Sequence, residues 1–121
     1  MSSYGDAGRG WRIFFWAAAA FNFLIGLAGM LMPESPLDGR IIGLLVFAFG
    51  LVYFIVASDP LRYGKVIWAG VLGKVGVVAL MGPTEFGGDG SWLVAAVLAG
   101  DALFAFGFLV FLFTRADAAE S

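Results

Sequence analysis

Polar side chains are sparse along this chain, and their positions divide it into four long apolar runs, at residues 11–32, 41–57, 66–81 and 92–113. Runs this long, with no two-residue alternation, point to helices that are apolar all round, as in a bilayer crossing. At about 1.5 Å rise per residue the first and last reach roughly 33 Å, while the middle two cross a bilayer only with help from flanking residues. The breaks carry turn chemistry: MPESP follows the first run, SDP the second, and GP then GGDG the third. Such clusters stop helices. The pattern predicts an all-α fold, an integral membrane four-helix bundle forming one domain over residues 1–121.

Small residues inside the runs define faces. On the first run Ala18, Asn22, Gly26 and Gly29 follow helical spacing and make one small, polar stripe against which another helix can close. On the second, Gly43, Phe47, Gly50 and Phe54 alternate small and large on one face, a pattern suited to interdigitation. On the third, Gly70, Gly73 and Gly76 surround Lys74 and are expected to leave room beside its aliphatic stem. A weak repeat also shows: VFAFGLVYF at residues 46–54 resembles LFAFGFLVF at 103–111, and the first and third runs end in LMPES and LMGPTE. If it reflects duplication, two helices per unit imply parallel halves.

Composition agrees with a bilayer. The chain is 61% hydrophobic and 13% charged, with 18 Gly and 13 Phe, far more apolar than ordinary soluble domains. Cys and His are absent, which removes disulfides, thiolate nucleophiles, imidazole bases and the usual zinc, copper and haem ligands. No catalytic residues, cofactor or metal site are expected, and the chain reads as non-enzymatic. A net charge of −2 without a basic cluster gives no reason to expect nucleic acid as a partner.

Charge placement gives direction. Arg9 precedes the first run and Arg12 lies at its start, Arg62 and Lys65 lie in the second connection, and Arg115 follows the last; the opposite connections hold Glu34, Asp38 and Arg40, then Glu85 and Asp89. Basic residues near span ends favour the cytoplasm, so both termini are expected there. The first run is too long for a signal-peptide core and lacks a small-residue cleavage pattern, so it is expected to be retained. Trp11, Trp68 and Trp92 fall near span ends, as in an interfacial aromatic belt.

On this topology Asn22, Lys74 and Asp101 lie about 15, 11 and 14 Å below the outer edge. They share one level near the bilayer midplane. An isolated ion there costs at least about 2.5–3.5 kcal/mol, and such residues normally face the protein interior and pair. Lys74 is therefore expected to answer Asp101, either as an ion pair that fixes helix register or as a proton, ion or substrate site. Asn22 is expected to donate between helices or to touch a ligand. Arg40 is expected to reach the outer headgroups, to close an outer mouth, or to pair with Asp38, Glu34 or Glu85. Tyr53, about 20 Å along its helix from Arg40, is placed as an interfacial anchor near the cytoplasmic side.

The run GRIIGLLVFAFGLVYFIVASDPLRYGKVIWAGVLGK at residues 39–74, together with GDALFAFGFLVFLF at 100–113, resembles small, mostly uncharacterised bacterial inner-membrane proteins with four helices, DoxX-like in layout. The match rests on an arginine opening the second helix, a Gly-rich helix and an Asp-Pro ending. The resemblance implies a multi-pass protein of the bacterial inner membrane and an accessory role in a larger membrane complex. Its partners would be the lipid bilayer and a membrane protein or further copies of itself. The residues leave a small oligomeric transporter or channel, using Lys74 and Asp101, as the alternative.

Overall fold

The structure, a computed structural model, describes residues 9–32, 36–86 and 92–116. Among them there is no strand. Helix α1 spans Arg9–Leu31, α2 Leu37–Ser58, the short α3 Pro60–Tyr63, α4 Ile67–Glu85 and α5 Trp92–Phe111; a 3₁₀ turn, Gly64–Val66, joins α3 to α4, and a π-helical turn, Leu112–Ala116, prolongs α5. Four helical stretches are long and apolar enough to cross a membrane: Arg9–Leu31, Leu37–Ser58, Pro60–Pro83 and Trp92–Thr114. The flanking turns thus supply the length that the two middle runs lacked. Segments 33–35 and 87–91, with the expected positions of Glu34 and Asp89, lie outside the described residues, as do the side chains of Glu85 and Arg115.

Two boundaries differ from the sequence reading, each for a local reason. Helix α2 begins at Leu37, directly after Pro36, so Asp38 and Arg40 lie in its first turn and not in a connection. Gly82-Pro83 was expected to end the third helix, yet α4 continues through Pro83 to Glu85. Proline disfavours helical geometry in its predecessor partly through that residue's Cβ, and Gly82 has none. One helical bond is lost near the end of the helix, and the Phe86 N–H still bonds the Gly82 carbonyl at 2.8 Å. The Asp59-Pro60 break holds. Asp59 leaves the helical region at φ −158°, and Pro60 opens α3, where its missing N–H costs nothing.

The chain forms two compact units, divided between Gly64 and Lys65. In the first, α1 and α2 run antiparallel and in backbone contact. A Cβ on Gly43 would lie 2.8 Å from the Gly26 carbonyl oxygen and 2.8 Å from the Met30 nitrogen, and one on Gly26 would meet the backbone nitrogen of Phe47. Only glycine permits that approach. Large side chains fill the spaces between: the Phe23 and Phe47 rings are 4.8 Å apart and Trp16 meets Phe54 edge-on at 4.7 Å. The small stripe and the small-large alternation expected from the sequence are the two sides of this seam. Ala18 and Gly26 are buried, and so are Gly43 and Gly50.

In the second unit α4 pairs with α5. Trp68 meets Phe113 edge-on at 5.8 Å, and Lys74 reaches across to Asp101. Gly73 and Gly76 meet nothing within 4 Å of where a Cβ would stand. They do not flank the lysine stem as expected, because helical steps of about 100° turn both away from Lys74.

Candidate functional site

Lys74 sits near the middle of α4 and Asp101 midway along α5, each surrounded in sequence by apolar residues. The antiparallel pairing of the two helices brings these levels together. The Lys74 Nζ donates to Asp101 Oδ1 at 2.7 Å, with the lysine side chain 5% and the aspartate 15% exposed. A bond this short is in the charge-assisted range. The same ammonium lies 5.6 Å from the centroid of the Phe104 ring. Phe104 is three residues beyond Asp101, so both occupy one face of α5. The lysine therefore receives a carboxylate and an aromatic face from one helix, in surroundings where either interaction is strengthened by the scarcity of water.

Asn22 is engaged inside the first unit. Its Nδ2 donates to the Val46 carbonyl of α2 at 3.0 Å, and the residue is 4% exposed. The expected interhelical bond is present, with a backbone acceptor as its partner. Gly43 and Gly50, one helical turn to either side of Val46, bring that carbonyl within reach. Of the three polar residues expected at one level, the structure thus joins Lys74 to Asp101 and ties Asn22 to its own hairpin.

Arg40 is exposed, and its Nη2 donates to the Met32 carbonyl at 3.3 Å. It thereby caps the end of α1 from the first turn of α2, satisfying one of the carbonyls that a helix end leaves open. Tyr53, placed as an interfacial anchor, is 1% exposed, with its ring 6.2 Å from that of Phe49. Two contributors were not singled out in the sequence. Phe104 had a visible signal, its i+3 spacing from Asp101; the Val46 carbonyl had none, since every residue carries one.

Among the described residues no three His, Cys, Asp or Glu side chains come together. Chemically, the arrangement offers one closed ion pair, held between two apolar helices, whose carboxylate is its more accessible half. No family model, curated protein or solved structure matches this chain.

Proposed function

We infer that this chain is a multi-pass protein of a bacterial inner membrane, a four-helix bundle with both termini in the cytoplasm, acting as an accessory or assembly partner of a larger membrane complex. The observation that supports it best is the closure of Lys74 on Asp101 at 2.7 Å in a chain whose remaining exposed span surface is largely apolar. The intramembrane charges are spent on each other, and what is left for recognition is helix surface. Leu24, Leu72, Leu80 and Leu103, for example, are each at least two-thirds exposed, at 68%, 76%, 84% and 72%. The DoxX-like layout of residues 39–74 and 100–113 adds the accessory role. Purification of the tagged chain from native membranes in mild detergent is expected to bring down a second membrane protein in fixed proportion. Recovery of the chain alone would remove the reading.

A second reading is favoured by the same pair. A lysine and an aspartate midway along apolar helices are the groups from which proton and ion pathways are built. In a small oligomeric transporter, Asp101 would take up a proton or cation while Lys74 sets its charge. Reconstituted vesicles then show a pH-dependent flux that Asp101→Asn abolishes; equal fluxes for both proteins dismiss it.

A further inference from the structure

Asp101 is only half satisfied. A carboxylate has room for about four hydrogen bonds, and among the described residues Lys74, bound through Oδ1, is its only hydrogen-bonding or ion-pairing partner. The aspartate is also the more accessible half of the pair, 15% exposed against 5% for the lysine. In water that second oxygen would be hydrated. In hydrocarbon an acceptor without a donor is costly, so something is expected to complete it.

Charge decides what. With the ammonium at 2.7 Å the pair is neutral, so a metal cation or a proton added at Asp101 leaves a net positive charge at a depth where charge is poorly tolerated. A neutral donor, a hydroxyl or a carboxamide, completes the carboxylate and adds none. The chain itself does not supply one to a second copy. Across the middle third of α1, α2, α4 and α5 the polar side chains are Asn22, Lys74 and Asp101. Asn22 is buried with its amide on the Val46 carbonyl, and Lys74 is buried in the pair.

We propose that the second oxygen of Asp101 is a docking point for a transmembrane helix of another protein, one that presents a serine, threonine, asparagine or glutamine side chain at mid-span. This rests on the accessory-subunit reading for the existence of a partner and specifies that partner's chemistry. Lys74 contributes indirectly, by holding Oδ1 at 2.7 Å and so fixing how the carboxylate presents its second oxygen.

The test measures energy transfer between the labelled full-length chain and labelled host helices, at high dilution in phosphatidylcholine vesicles. Each host is a Leu/Ala helix of about 20 residues, with Asn at its centre, Leu at its centre, Lys at its centre, or Asn near one end. The central-Asn helix is expected to bind about three- to tenfold more tightly than the central-Leu helix. The end-placed Asn loses that gain, and so does a chain carrying Lys74→Met with Asp101→Leu. Equal binding of central Asn and central Leu overturns the proposal, and this comparison needs no altered chain. A central-Lys helix that binds as tightly as central Asn overturns it in favour of a cation site; energy transfer between two labelled copies of the chain that is lost on the double substitution overturns it in favour of self-association. If the Asn helix docks but native membranes yield the chain alone, the accessory reading fails and the site stands. If native membranes yield a partner but the Asn helix gains nothing, the reading stands and the site fails.

Discussion

An ammonium and a carboxylate 2.7 Å apart midway along two apolar helices persist because each offsets the other's cost of burial among apolar side chains. Deleting one partner leaves an uncompensated ion, whereas deleting both leaves a continuous apolar seam. Lys74→Met and Asp101→Leu are therefore each expected to cost about 3 kcal/mol of unfolding free energy in a mixed-micelle denaturation series, and the double substitution to recover most of it. Three variants as stable as the parent would relieve the pair of any structural role and strengthen the transport reading. The sequence allowed this pair to be found because depth along a helix follows from residue count alone. Rotation about the helix axis does not, and that is where the reading stopped: Gly73 and Gly76 turn away from the lysine, and Asn22 donates to the Val46 carbonyl.

The helices themselves were largely visible in the chain, since long apolar runs need only hydropathy and length to be recognised, and Asp59-Pro60 breaks the pattern where expected. What the pattern could not convey is how differently its glycines are used. Gly43 lies against the backbone of α1, where a Cβ would stand 2.8 Å from two of its atoms, and Gly73 faces open space. Gly43→Ala must push α1 and α2 apart, because backbone cannot yield as a flexible side chain can; a loss of about 2 kcal/mol or more is expected. Gly73→Ala meets nothing and removes the helix-interior penalty of glycine, so it is expected to be neutral or to stabilise by about 0.5–1 kcal/mol. Thermal unfolding of the two variants side by side checks the assignment. A Gly43→Ala protein that melts with the parent would mean that the α1–α2 seam is looser than described.

The two units each join two span-length helices, and the division after Gly64 falls where a two-helix repeat would place its seam. The first hairpin is held by glycine-to-backbone contact and one amide, the second by an ion pair and aromatic rings. Segments as alike as residues 46–54 and 103–111 thus lie in hairpins closed by different polar contacts. Orientation in a membrane follows from charge: Arg62 and Lys65 are exposed in the segment linking α2 to α4 and should be held on the cytoplasmic side. Leu37 and Tyr63, 74% and 37% exposed, bracket the 22-residue α2, about 33 Å of helix and enough for one crossing. Because the chain has no cysteine, a single introduced thiol reports one site only. In right-side-out vesicles an impermeant maleimide is expected to label Leu37→Cys and to leave Tyr63→Cys unlabelled, with the pattern exchanged in inverted vesicles. The same pattern with the vesicle types reversed would invert the topology, and labelling of both sites from one side would mean that α2 does not cross.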